Sequence, residues 1–205
     1  MSCEIVDGIR ENKHVLVEAG VGIGKSFAYI VPILYYSKIY HRPVVIATST
    51  IALQEQLTHD IEKIMDMLNY EVEVLIAKGQ NHFLCKKRFD DCFTKEFITE
   101  SEEHQIIYDA ICKFGYEKAD WNVAIPDEIW NRINVKEYKS QFCKDKCSYC
   151  GSCHYHNLRQ KMMSTHGIIV CNQDLLAVNM HKKANCRRQL MSCLLYTSPS
   201  PRDST

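Results

Sequence analysis

The chain has 205 residues, with 25 Lys and Arg against 25 Asp and Glu, so its formal net charge is zero. Capture of a polyanion by overall positive charge is excluded, and any nucleic-acid contact has to come from a local patch. Apolar residues make up 46% and charged residues 24%, which suits a folded domain, or one domain with a sizeable insertion, rather than a disordered tail. No apolar run approaches the ~20 residues of a membrane helix, and the first eight residues lack the basic start and apolar stretch of a signal peptide. No membrane partner is expected, and the expected location is the cytoplasm.

In chain order, His14 to Ala19 is a short β-rich run, followed by Gly20-Val-Gly-Ile-Gly-Lys-Ser26 and a long apolar stretch from Phe27 to Tyr40. The reading is strand, glycine turn, helix. Pro43 to Ala47 is a second strand. Thr50 to Leu68 is helical, with Ile51, Leu53, Leu57, Ile61, Ile64, Met65 and Leu68 near one face. Val72 to Ala77 is a third strand. Strands alternating with helices imply an α/β fold with a parallel sheet built from βαβ units. From Cys85 to Cys153 no strand is predicted. Charged helical stretches, Thr94 to Lys118 and Pro126 to Lys139, suggest an inserted, mainly helical subdomain. Gly167 to Cys171 returns to strand character, and Asp174 to Met180 is expected to be helix. Cys193 to Asp203, with Ser204 and Thr205, reads as sequencing-adapter read-through and is left out of the expected fold.

Three sets of residues carry chemistry. Ala19, Gly20, Val21, Gly22, Ile23, Gly24, Lys25 and Ser26 fit the Walker A pattern. Small residues let consecutive backbone N–H groups wrap a phosphate, Lys25 brings its charge to the β- and γ-phosphates, and Ser26 offers a hydroxyl to Mg²⁺. The ligand is thus a nucleoside triphosphate. Thr48, Ser49 and Thr50 follow the second strand, with Gln54 and Gln56 one turn on. Hydroxyls at a helix start serve as an N-cap or as donors to backbone phosphates, and the two roles are compatible.

The third set is cysteine. Four of eleven fall within residues 143–153, as Cys143, Cys147, Cys150 and Cys153. Without an export signal, metal ligation is favoured over disulfides. These four could form a site alone, with His154 or His156, or with Cys85 at the start of the insertion. Thiolates suit zinc and iron–sulfur alike.

Together these features resemble the DinG/XPD family of superfamily 2 DNA helicases, over nearly all of Met1 to about Met180. Glu18 to Pro32 is similar to the family's Walker A segment, and Thr48 to Leu57 to its motif Ia. Lys78-Gly79-Gln-Asn81-His-Phe-Leu-Cys85 resembles the segment that carries the first cluster ligand, and Gly167 to Asn172 followed by Asp174-Leu-Leu176 the element beyond the cluster. The resemblance implies a RecA-like ATP-binding domain, incomplete here, with an iron–sulfur insertion. Its parts would be residues 1–84, the insertion 85–153, and the return 154–192, with 193–205 set aside. It implies Cys85, Cys143, Cys147 and Cys153 as ligands of a 4Fe–4S cluster, with Cys150 as a possible substitute. It further implies single-stranded DNA held by Thr48, Ser49, Thr50, Gln54 and Gln56, ATP with Mg²⁺ at Lys25 and Ser26, and 5′→3′ translocation and unwinding. Lys86, Lys87 and Arg88 would give a local basic patch or a solvated helix face. A monomer is expected.

Val21 and Ile23 stand where the family usually has Thr, Gln173 replaces a His, and Cys150 is additional. The DEAH box, the second RecA-like domain and the adenine-reading glutamine motif are not among these residues, so this piece is expected to bind nucleotide weakly and not to hydrolyse it. Two other classes fit the same residues: a P-loop NTPase with a zinc-binding insertion and no helicase activity, and a non-catalytic DNA-binding module.

Overall fold

A computed structural model of the chain describes residues 1–18, 24–95, 102–185 and 194–197. They fall into two compact units, one of Met1–Ala77 with the chain from Met162 on, the other of Lys78–Lys161.

The first unit opens with α1 (Ser2–Arg10) and α2 (Lys25–Tyr40), then β1 (Val44–Thr48), α3 (Ile51–Leu68) and β2 (Val74–Ala77). After the second unit come β3 (Ile168–Asn172), α9 (Gln173–Asn185) and β4 (Leu194–Thr197), the intervening helices being numbered below. The sheet is parallel throughout, in the order β2-β3-β1-β4. All five residues of β1 are buried, as expected of a strand covered on both faces. Ile30, Ile33 and Leu34 of α2 and Leu57, Ile61 and Ile64 of α3 pack with Val44, Ile46, Ile168 and Val170 in one core. The spacing of 57, 61 and 64 places these residues on one stripe of the helix. Thr50 caps α3 by accepting the Leu53 N–H at 3.2 Å, and Asn69 closes the helix in the left-handed region at φ 49°.

Two differences from the sequence expectation stand out. Within the described part of the first predicted strand, residues 14–18 form no strand, and Leu16 is fully exposed. The edge beside β1 is instead taken by Leu194–Thr197, in register with Val44–Ala47. An open strand edge is a template for any extended apolar segment, so this pairing reflects the edge and leaves the origin of the segment aside. The first helix, α1, was not predicted. It packs on α2, where the Ser2 hydroxyl donates to Ala28 O at 2.9 Å.

The second unit contains α4 (Lys86–Lys95), α5 (Glu102–Phe114), α6 (Asp127–Ile133), α7 (Ser140–Lys146) and most of α8 (His154–Ser164), which runs on to Ser164. It is mainly helical, as predicted, although residues 134–139 lie outside any helix. Its core joins Leu84, Phe89, Phe93, Ile107, Trp121, Trp130 and Ile133. The two indoles meet edge to face at 5.5 Å. Among the described residues no helix is long and apolar enough to cross a membrane.

Gly167 lets the chain enter β3 tightly against β2. A Cβ there would lie 2.0 Å from Glu73 O, the same carbonyl that accepts the Ile168 N–H at 2.8 Å. Gly167→Ala must push these backbones apart and is expected to destabilise the chain by about 1–3 kcal/mol, as overpacking does. Urea unfolding followed by far-UV circular dichroism measures it.

Candidate nucleotide, polynucleotide and thiol sites

The carboxyl ends of the parallel strands are where an α/β sheet presents ligands. Two expected sites stand on elements that start at or beside that edge. Gly24 lies in the left-handed region at φ 74°, a conformation that favours glycine, and its carbonyl accepts the Ala28 N–H as the first bond of α2. Lys25 and Ser26 therefore occupy the first two positions of the helix, both half-buried. Free N–H groups and the positive end of the helix dipole favour an anion at this end. Ala19, Gly20, Val21, Gly22 and Ile23 lie outside the described residues.

The residues after β1 divide by exposure. Thr50 and Gln56 reach solvent, and Ser49 is half-buried with a covered hydroxyl that has no hydrogen-bond partner. Thr48 is buried, and its hydroxyl donates to Thr50 O at 2.9 Å. Gln54 is wholly buried at 0% exposure. Its amide donates to Ala77 O at 3.2 Å and Val170 O at 3.3 Å, while Oε1 has no partner. Of the residues expected to meet phosphates, Thr48 and Gln54 thus have their side chains turned into the protein, while Thr50 and Gln56 face solvent. The sequence held the signal: Gln54 falls three residues before Leu57, on the same stripe as Ile61 and Ile64, whereas Gln56 falls off it.

In the second unit the chain from Asn81 to Cys85 is a hub. Leu84 donates to Tyr116 O at 2.8 Å, Cys85 to Ile133 O at 2.8 Å, and Val135 to Phe83 O at 2.9 Å. Isolated antiparallel bridges pair Phe83 with Glu117 and Leu84 with Asn134. The Trp130 indole donates to Asn81 O at 2.8 Å. Gln80 holds both Lys136 O and the Tyr138 N–H. Lys78 makes a buried ion pair with Glu117. None of this was predicted, since single bridges leave no periodic pattern.

The hub carries Cys85 to the later cysteines. Cys85, Cys147 and Cys153 line one small cavity of about 20 Å³, beside Tyr149, Lys86, Lys87 and His154. Consecutive turns bring the later four together. Cys147 N–H donates to Cys143 O at 3.2 Å, Cys150 to Cys147 O at 3.0 Å, and Cys153 to Cys150 O at 3.2 Å. Cys85 and Cys153 each immediately precede a helix, α4 and α8, and each accepts the first bond of that helix on its carbonyl. Cys153 Sγ also accepts the His156 N–H at 3.5 Å. Helix starts favour thiolate, but burial outweighs this and pushes the thiols of Cys85 and Cys153 up. The donor set of thiols without carboxylates suits a soft metal or an iron–sulfur cluster. Among the described residues no group of three His, Cys, Asp or Glu side chains is closed tightly enough to hold a metal ion as they stand. In the basic run next to Cys85, the Lys86 ammonium stands 5.2 Å from the Tyr149 ring centre, and Arg88 is turned inward to Arg132 O at 2.9 Å.

A parallel α/β sheet whose helix begins at Gly24-Lys25-Ser26 defines one lobe of a RecA-like P-loop NTPase, here interrupted after β2 by a thiol-rich helical unit. The profile of the DEAD/DEAH box helicases matches residues 3–110, more than half of the chain, and the chain belongs to that family. It is 36% identical over 97 residues to the 3′-5′ exonuclease DinG of Bacillus subtilis strain 168, covering 47% of this chain and 10% of that protein. It is 23% identical over 201 residues to the ATP-dependent helicase DinG of Mycobacterium tuberculosis H37Ra, covering 87% and 30%. Against the ATP-dependent DNA helicase DinG of Escherichia coli K12 the identity is 20% over 193 residues, covering 85% and 26%. The chain thus spans less than a third of the length of each of these relatives.

His82, within the hub, gives this unit a pH signature. Burial, and then the Lys78 ammonium, hold its imidazole below the ordinary histidine value. As pH falls through about 6.5 the unfolded chain takes up this proton first. The stability that neutral His82 provides is present above that pH and is lost below it, until the folded imidazole also titrates. Both tryptophans of the chain lie in this unit, so indole fluorescence reports its unfolding. The urea midpoint is expected to drop between pH 7.5 and 5.5, and to drop less in His82→Gln.

Proposed function

We propose that this chain is the nucleotide-binding lobe of an ATP-dependent DNA helicase that moves 5′→3′ along a single strand, working as a monomer in the reducing cytoplasm. The observation that carries the reading is the order of features on one lobe. Gly24-Lys25-Ser26 open α2, the Thr48–Thr50 turn opens α3, and a cysteine-rich unit follows β2. The names of the Mycobacterium tuberculosis and Escherichia coli relatives, both ATP-dependent helicases, support the same reading.

In this proposal Ala19 to Gly24 supply backbone N–H groups to the phosphates of ATP. Lys25 adds its charge at the β- and γ-phosphates, and the Ser26 hydroxyl faces Mg²⁺. Thr50, Ser49 and Gln56 contact the phosphates of the DNA strand, an electrostatically modest grip that suits a chain without net charge. Thr48 and Gln54 support that grip from within. Cys85, Cys143, Cys147 and Cys153 hold a 4Fe–4S cluster, with Cys150 as the spare thiol. Bound there, the cluster would supply a rigid cross-link between the two ends of the insertion. Lys86 and Lys87 offer the strand a local positive surface beside it.

Photo-crosslinking of labelled ATP to the chain tests the nucleotide part. Labelling is expected in the parent and lost in Lys25→Ala; equal labelling of the two would remove the nucleotide role of Lys25. Anaerobic purification tests the metal part. Visible absorbance with stoichiometric iron, abolished in Cys85→Ser, is expected. Stoichiometric zinc without iron would replace the cluster by a zinc site.

A further inference from the structure

Gln54 is the one fully buried carboxamide on the core stripe of α3 among the described residues, and its surroundings show what it does there. Its two N–H protons go to two different strands. One carbonyl is Ala77 O, the last residue of β2, and the other is Val170 O of β3. In the register of the sheet Ile76 faces Val170 and Ala77 faces Cys171, so these are neighbouring rungs at the carboxyl end. A carboxamide has two donors on one nitrogen, and only Asn and Gln among uncharged side chains can bridge two acceptors in this way. Gln54 O in turn accepts the Thr58 hydroxyl at 2.9 Å. An apolar residue would fill this stripe position more simply. The buried Oε1 without a partner adds a penalty that such a residue would avoid. A polar group kept under those terms points to a positioning task.

We propose that Gln54 is a positioning residue for the polynucleotide grip. It ties the first turns of α3 to the carboxyl ends of β2 and β3, and so fixes the exposed Thr50 and Gln56, four residues before it and two after, relative to the sheet edge. The inference rests on the polynucleotide reading of that edge and assigns Gln54 a role in it without contact to the ligand.

The test compares the 205-residue chain with Gln54→Met, of similar length without donors, and Gln54→Glu. Binding of a fluorescent single-stranded oligonucleotide is measured by anisotropy at a temperature where circular dichroism shows every variant folded. Gln54→Met is expected to bind about fivefold more weakly, the scale of one lost hydrogen-bonded brace. The side-chain contacts of Gln54 are the uncharged carbonyls of Ala77 and Val170, which favour the protonated acid of a buried Glu as donor. Gln54→Glu should therefore bind weakly at pH 8 and recover towards the parent at pH 6, while Gln54→Met shows no such recovery relative to the parent. A brace needed for folding alone would lower the urea midpoint and leave the affinity of the folded variants unchanged, which would overturn the proposal. So would identical pH profiles for Gln54→Glu and Gln54→Met. Amide exchange gives an arm independent of DNA. Faster exchange in Gln54→Met at Val74–Gly79, Val170–Asn172 and Thr50–Gln56 together is expected, and unchanged exchange at the strand ends would overturn the inference. If the parent itself binds no oligonucleotide, the polynucleotide reading falls and the exchange result alone decides the positioning role. Should Gln54→Met not fold, the comparison of Gln54→Glu at pH 6 and pH 8 carries the test.

Discussion

The parallel pairing of β2 with β3 is the constraint on which the rest of this molecule depends. The two strands are neighbours in space, with Val74 opposite Ile168 and Ala77 opposite Cys171, although the members of each pair lie 94 positions apart in sequence. A parallel pair always needs a crossover, and here the crossover contains an entire second unit. The entropy of closing so long a loop grows only slowly with its length, and most of that loop is folded on its own core. The closing contacts are short and specific: Ile168 N–H to Glu73 O at 2.8 Å, Val44 N–H to Gly167 O at 3.0 Å, and the Thr165 hydroxyl to the Glu73 carboxylate at 2.6 Å. At the other end of the two strands the pairing sets Ala77 and Val170 side by side, where Gln54 of α3 bonds to both.

The second unit solves a different problem. Among its described residues no sheet organises it, so its backbone donors and acceptors must be satisfied piecemeal. The Asn81–Cys85 segment does this by lending its main chain to three neighbours at once, and the two tryptophans seal it, each with its indole N–H on a main-chain carbonyl. The consequence for chemistry is direct. Cys85 is anchored by its own N–H to Ile133 and stands at the start of α4, so the thiol nearest the entry to the unit is held in place by the same bonds that fold it. The later cysteines are placed by successive tight turns instead. Two sources of order, one from a long-range hub and one from local turns, meet at a single cavity.

The sequence was informative where a pattern repeats. The apolar spacing of Phe27–Tyr40 and Thr50–Leu68 matches α2 and α3 closely, and the β-rich runs Pro43–Ala47, Val72–Ala77 and Gly167–Cys171 match β1, β2 and β3. It was less informative where one residue can serve two ends. Thr48 and Gln54 belong to a motif that reads as phosphate-binding, yet both are buried, because their places on the strand and on the core stripe fix their direction before any ligand does. His14–Glu18 has the composition of a strand, but strand propensity expresses packing against neighbours more than backbone preference, and these residues have no neighbour in the sheet. The hub was illegible because two single bridges and a glutamine are set by tertiary contacts alone.

The burial of β1 carries a further requirement. Val44 to Thr48 is a continuous apolar run ending in a threonine whose hydroxyl is satisfied internally, and none of the five is more than 2% exposed. Such a strand is covered on both of its faces. One edge is met by β3. The other, unpaired, would present a row of N–H and C=O groups, a template for a further strand. Leu194–Thr197 fills that place in parallel register. What the edge demands is an extended apolar segment running parallel to β1, and nothing in the pairing is particular to these four residues. The sheet order β2-β3-β1 is therefore the part that the strands read from the sequence define, and the place beyond β1 is an open edge that accepts an extended apolar segment.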